Sequence, residues 1–190
     1  MRPVTKFLHL RLGLTPNQVS VIGFAVGLVA VVPILLEEIE IGLLLLALSQ
    51  IVDGIDGSIA RVFNLRSRLG GRLETIFDRL NEFFLFLALA IVGEVTYTIF
   101  ILAYAAILLV TSVKNRSDFD PGFKRIVLYF GYFLGFQFVL TLAFAANLLG
   151  FVASLLLLDF TFQKEVDQAI GASTGSGRRR EELLSRGRSA

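Results

Sequence analysis

Residues 52–82, VDGIDGSIARVFNLRSRLGGRLETIFDRLNE, place Asp53, Asp56, Glu74, Asp78 and Glu82, with Arg61 and Arg79, between two apolar runs, LLLLALSQI and FFLFLALAIVG. A charged side chain at the centre of a membrane helix costs about 2.5–3.5 kcal/mol on insertion scales, so a group of them needs partners and a purpose. The surrounding chain makes the membrane reading firm. Of its 190 residues 55% are hydrophobic, and the mean hydropathy of +0.73 lies far from that of a soluble domain. There is no cysteine, which excludes disulfides and a cysteine-based zinc site. The single histidine, His9, reads as a surface residue of an amphipathic leader.

A spanning helix needs about 20 mostly apolar residues. On that measure spans fall at 18–36, 41–63, 73–93, 96–113, 126–146 and 148–163. The first is longer than a signal-peptide core and has no small-residue cleavage site after it, so it reads as a retained helix. The last two come from one uncharged run, Ile126 to Leu158. As a single helix it would be roughly 50 Å long against a hydrocarbon core of about 30 Å, so a turn is expected at NLLG, 147–150; the alternative is one long tilted helix that leaves the bilayer.

Six spans put both termini and the loops at 64–72 and 114–125 on one side, and every Lys and Arg falls on or near that side. The opposite loops hold only Glu37, Glu38, Glu40 and Glu94 as charges. The positive-inside bias therefore places termini and acids at the cytoplasmic face of a multi-pass cell-membrane protein. The fold class expected is all-α: a six-transmembrane-helix bundle, 16–168, preceded by an interfacial amphipathic helix, 1–15, and followed by a disordered basic tail, 169–190.

Spacing organises the acids. Asp53, Asp56, Gly57, Ala60 and Arg61 stand at i, i+3, i+4, i+7 and i+8, one face of the second span; Glu74, Asp78 and Glu82 stand at i, i+4 and i+8 on the third. The two faces meet across loop 64–72. Carboxylates gathered in low dielectric cannot all ionise without cations, and hard oxygen ligands favour Mg²⁺, Mn²⁺ or Ca²⁺. Helix-to-helix salt bridges, such as Asp56 with Arg79, would satisfy two of the acids and leave the rest; Glu82, at its depth, could instead simply pair with Arg79 or stabilise the bundle. Gly57 and Ala60 either clear room for a ligand or allow close helix packing. Arg61, Arg66, Arg68 and Arg72 suit phosphates. Metal-holding acids beside arginines point to a phosphate or diphosphate substrate.

The pattern Asp53-x-x-Asp56-Gly57-x-x-Ala60-Arg61, eight residues, Gly70-x-x-x-Glu74-x-x-x-Asp78 resembles the signature of the CDP-alcohol phosphotransferases, also called CDP-alcohol phosphatidyltransferases. LTPNQVS at 14–20 is similar to the segment opening the first span in that family, and the resemblance covers about residues 5–165. It implies a homodimer in the lipid bilayer. It also implies transfer of a substituted phosphate from a CDP-alcohol to the hydroxyl of a polar acceptor alcohol, releasing CMP in phospholipid or related biosynthesis.

By position, Asp53, Asp56, Glu74 and Asp78 would hold one or two Mg²⁺ or Mn²⁺ ions, with Asp78 also the general base. Pro16, Asn17, Gln18, Val19, Ser20, Asp56, Gly57, Ala60, Arg61, Ser67 and Gly70 would bind the nucleotide. Direct transfer is expected, because no Cys, His or suitably flanked Ser stands ready as a covalent nucleophile. The family's third acid is normally Asp. Glu74 keeps the ligand type but moves the carboxylate by roughly 1.5 Å, one carbon–carbon bond.

In loop 114–125, Lys114, Arg116, Lys124 and Arg125 are candidates for holding the phosphate of an acceptor such as inositol phosphate or glycerol phosphate; ordinary positive-inside anchoring would also place them there. The donor could be a CDP-diacylglycerol, a CDP-archaeol or a CDP-polyol, and no nucleic-acid partner is expected. The alternatives are a divalent-cation channel or transporter, which leaves the cytoplasmic arginines unexplained, and a catalytically weakened relative, which Glu74 would suit.

Overall fold

The computed structural model describes residues 2–114 and 127–187. They form eight helices: α1 Arg2–Leu12, α2 Pro16–Val29, α3 Val31–Leu35, α4 Ile39–Val62, α5 Arg68–Ile91, α6 Tyr97–Lys114, α7 Val127–Leu134 and α8 Phe136–Gly187. No strand occurs among the described residues. Two stretches are both long and apolar enough to cross a membrane, Pro16–Leu35 (α2 continued by α3) and Phe136–Phe160 of α8. α4 and α5, at 24 residues each, have the length but carry the acids.

Local chemistry sets the boundaries around the acidic region. α1 ends at Gly13, whose φ of +66° suits glycine. Its amide donates to the His9 carbonyl at 3.1 Å. His9 is half-buried. Its Nδ1 lies 2.9 Å from the Leu14 carbonyl oxygen and its ring 4.3 Å from that of Phe63, which ties α1 to the end of α4. The Thr-Pro-Asn-Gln run then starts α2 as a capping box: the Gln18 amide donates to Thr15 Oγ1 at 3.4 Å and the Thr15 amide to Gln18 Oε1 at 2.9 Å, with Pro16 in the first turn. Ser67 caps α5 by accepting from the Gly70 amide at 2.9 Å.

Packing puts α2 in the middle. It lies along α4 and also against α5, and α3 continues the same bridge; among the described residues α4 and α5 touch each other at most weakly. α6 and α7 pack on α8. The buried apolar core draws on Ile34, Leu46, Leu85, Leu89, Ala103, Ile107 and Leu140, and so lies toward the end of the bundle away from the acids. At that far end Gln137 of α8 accepts from the Thr96 amide at 2.8 Å, and Tyr132 of α7 donates to Glu40 of α4.

The turn expected at 147–150 is not there. The chain breaks instead at Gly135, at φ +87°, and α8 passes unbroken through NLLG. Asn147, which suggested a turn, is buried within the helix and donates from Nδ2 to the Ala143 carbonyl at 2.8 Å. Gly131 makes the sharp reversal possible, since a Cβ there would run into the Phe136 ring. The backbone of α8 stays helical to Gly187, over residues whose Gly/Ser content predicts disorder; the intervening RRREELL is composed of strong helix formers.

Gly135→Ala is expected to destabilise the protein by about 1–2 kcal/mol, because an L-residue must then adopt the left-handed conformation. Gly54→Ala, in the interior of α4 with no atom within 4 Å of the added Cβ, should be neutral or stabilising by about 0.5–1 kcal/mol. Unfolding of the two variants in detergent, compared with the parent, checks the contrast.

Candidate functional site

Where α2 begins, α4 ends and α5 begins, the chain leaves a cavity of about 310 Å³. Its wall from α2 is Pro16, Asn17 and Ser20; from α4, Asp56, Gly57, Ala60 and Arg61; from the connection and α5, Leu65, Arg66, Ser67, Gly70, Gly71 and Glu74. Nine of the eleven residues expected at the nucleotide thus share one cavity. The other two do not line it: Gln18 is used in the capping box, and Val19 is buried in the helix interface.

Asp56 anchors the inner wall. It is 4% exposed and accepts from Ser20 Oγ across the α2–α4 interface. Ser20 Oγ also stands 3.1 Å from the Pro16 carbonyl oxygen. Asp53, one turn deeper, lies against Gly23 so closely that a Cβ on Gly23 would collide with its Oδ1. Ser49 Oγ donates to the Gly23 carbonyl at 2.8 Å and tightens the same contact. Small residues let helix backbones approach in just this way.

The mouth of the cavity is cationic. Arg61 folds back along α4, its Nη2 within 3.4 Å of Ser58 Oγ and 3.9 Å of where a Cβ on Gly57 would stand. A larger residue at 57 would crowd that guanidinium. Asn64 takes a left-handed φ of +55°, and the Leu65 amide returns to the Ala60 carbonyl at 2.9 Å, which swings Leu65 and Arg66 over the opening. On the α5 side, Gly70 is pressed by Asn17 Oδ1 and Ser67 Oγ, each 3.1 Å from a Cβ position, whereas Gly71 faces open space. The first turn of α5 carries no acid, so its amides present partial positive charge to the cavity.

Sequence reasoning counted Arg66 only among a ring of cations and missed Leu65 and Gly71. The paired glycines at a helix start were the available signal for Gly71. Leu65 had none, because it arrives through the backbone turn at Asn64.

The acids divide. Asp56 and Glu74 share the cavity, and Asp53 and Glu74 are both near enough to Asp56 to act on its charge. Asp53 and Asp78 are not part of the lining, and Asp78 is half-buried and engaged in an interaction of its own. Glu82 does not belong to this wall. It is fully buried, paired with Arg79 at 2.6 Å, and turned toward Phe86, Ile107, Leu128 and Leu140. Eight residues advance a helix by about 80° beyond two full turns, enough to carry Glu82 off the face of Glu74. The suggested Asp56–Arg79 bridge is replaced by this local pair.

As donors, the four signature carboxylates suit a hard divalent cation: all are oxygen ligands, and two sit on opposite walls of one cavity. Their side chains are not closed into a shell, and among the described residues no three His, Cys, Asp or Glu are arranged to hold a metal ion. Lys114 closes α6, while Arg116, Lys124 and Arg125 lie outside the described residues.

Comparison with known proteins gives a consistent answer. The family model for CDP-alcohol phosphatidyltransferase matches residues 13–166. Archaetidylinositol phosphate synthase of Pyrococcus horikoshii is 30% identical over 107 residues, 56% of this chain and 57% of that protein. The bifunctional IPC transferase and DIPP synthase of Thermococcus kodakarensis is 35% identical over 105 residues, 54% of this chain and 24% of that protein. The chain therefore spans a little over half of one curated relative and a quarter of the other.

Among solved structures, the apo form of Mycobacterium tuberculosis phosphatidylinositol phosphate synthase superposes with a TM-score of 0.68 at 20% identity, over 80% of this chain and 93% of that one. The same mycobacterial protein has been solved with CDP-DAG bound, and with manganese and citrate. With the signature residues gathered around one cavity and the family model covering most of its length, the chain belongs to the CDP-alcohol phosphatidyltransferase family, a family of transferases.

Proposed function

We propose that this protein transfers a substituted phosphate from a CDP-alcohol to the hydroxyl of a phosphorylated polyol, of the inositol phosphate or glycerol phosphate class, and releases CMP. The observation that carries this reading is the cavity with Asp56 and Glu74 on facing walls and Arg61 and Arg66 at its mouth. It offers metal-binding oxygens, anion-binding guanidiniums and uncrowded backbone in one place. The names of the archaeal relatives, and the mycobacterial structure with CDP-DAG, support an inositol phosphate acceptor and a lipid-linked donor.

In this reading Pro16, Asn17 and Ser20 bound the nucleotide from α2, and Gly57 and Ala60 let it approach the α4 backbone. Arg61 and Arg66 hold the diphosphate with the amides at the start of α5. Asp53, Asp56, Glu74 and Asp78 hold one or two Mg²⁺ or Mn²⁺ ions, which when bound supply positive charge to the diphosphate and the leaving CMP. Asp78 takes the proton of the acceptor hydroxyl as its oxygen bonds to the phosphorus of the alcohol phosphate. The bond from that phosphorus to the bridging oxygen breaks, and CMP leaves with the electron pair. Lys114, Arg116, Lys124 and Arg125 hold the acceptor phosphate. The protein acts as a multi-pass membrane homodimer with its termini and site on the cytoplasmic side, and α1 lies at that surface.

Purified protein with Mg²⁺, CDP-diacylglycerol or CDP-archaeol, and inositol phosphate should release CMP, and chelation should stop it. Asp78→Asn is expected to lower the rate by about 10²–10⁴-fold, the usual contribution of a general base. CMP release unaffected by this variant would remove Asp78 from the mechanism.

Glu74 bears on activity in a way the fold makes specific. Because α2 stands between the two acidic walls, the longer side chain helps span the gap. Glu74→Asp should therefore raise the Mg²⁺ concentration for half-maximal rate by about tenfold, consistent with sensitivity to ångström-scale displacement. A faster enzyme with undiminished Mg²⁺ response would show instead that the native Glu weakens the site.

A further inference from the structure

We propose that the contact between Gly27 of α2 and Asn81 of α5 is the spacer that fixes how far, and at what height, the acidic face of α5 stands from α4, making Asn81 a positioning residue. The proposal rests on the transfer reaction proposed above.

α2 and α5 run parallel from the cavity and meet in rungs. Ser20 and Glu74 line the cavity together. One turn deeper the Phe24 and Phe77 rings stack at 4.6 Å and 13°. At the next rung a Cβ on Gly27 would overlap the Asn81 amide, at 2.7 Å from Cγ and 2.8 Å from Oδ1. Successive rungs are three or four residues apart on each helix, the register of closely packed neighbours.

The other side of α2 is already locked. Ser20 donates to Asp56, Ser49 donates to the Gly23 carbonyl at 2.8 Å, and Asp53 presses on Gly23. Since α4 and α5 hardly touch, the separation of their acids is set by α2, its continuation α3 and the short connection at 63–67. Asn81 lies three residues beyond Asp78, about 4.5 Å along a rigid helix, so displacing it carries Asp78 and Glu74 with it.

Asn81 is 1% exposed and its Oδ1 is without a hydrogen-bond partner. Hydrogen bonding through that oxygen therefore does not account for a polar side chain at this depth. What the residue supplies is shape against a backbone that has no side chain at Gly27.

The chain has no cysteine, so spin labels can be placed cleanly at Val62→Cys, at the end of α4, and Leu69→Cys, at the start of α5; the native side chains there are 45% and 62% exposed. Pulsed-dipolar spectroscopy then reads the separation of the two walls. Gly27→Ala is expected to widen it by about 1–2 Å, the range over which interaxial distance follows side-chain size. The same change should lower kcat for CMP release by about 10- to 100-fold, with the donor KM changed by less than about threefold. Gly27→Ala with Asn81→Ala should restore both separation and kcat to within about threefold of the parent.

Unchanged separation and kcat in Gly27→Ala, with only a lower melting temperature, would overturn the proposal and leave the contact as ordinary packing. If Gly27→Ala does not fold, Asn81→Ala alone decides: a shifted separation with reduced kcat is expected, and an unchanged separation overturns the spacer. Should the parent release no CMP, the transfer reading fails, while the label separations still test the spacer.

Discussion

Everything at the acidic end of this protein depends on the close approach of α2 to two helices that do not hold each other. Ser20 against Asp56, Gly23 against Asp53 and Gly27 against Asn81 form a column of small or missing side chains on α2 facing polar ones on α4 and α5. Small residues let the helix backbones approach closely, and the few hydrogen bonds within the contact add to the attraction. With α2 in place, Asp56 and Glu74 line one shared cavity.

The same arrangement resolves the energetic difficulty of charge beside apolar runs. Arg79 and Glu82 neutralise each other where the helix is buried. Asp56 is satisfied in part by Ser20. Glu74, Arg61 and Arg66 reach the open cavity at the end of the bundle, where water or ligand can solvate them. Asp56 and Glu74 thus sit at the open cavity, with Asp53 one turn deeper and Glu82 buried.

Much of this was legible in the sequence because helical periodicity is local. The i, i+3, i+4 spacing of Asp53, Asp56 and Gly57, the LTPNQVS segment and the family signature together located most of the cavity wall. What escaped was decided by long-range packing. A spacing pattern names a face but not the helix that will cover it, so the intervening position of α2 was not readable, whereas the depth of Glu82 already allowed the pairing with Arg79 that the structure shows. The turn at Gly135 was missed for a similar reason. Asn147 and Gly150 look like breakers as residue types, yet one can be satisfied inside a helix, and the real reversal depended on Gly131 meeting Phe136.

We propose that α4 and α5, held apart by α2, both contribute to one divalent-cation site. Titration of the purified protein with Mn²⁺ in the presence of CMP, with free Mn²⁺ followed by electron paramagnetic resonance, tests it directly. Saturable binding is expected, weakened by about tenfold or more both in Asp56→Asn on α4 and in Glu74→Gln on α5. Binding that ignores either wall, or no saturable binding at all, would contradict it.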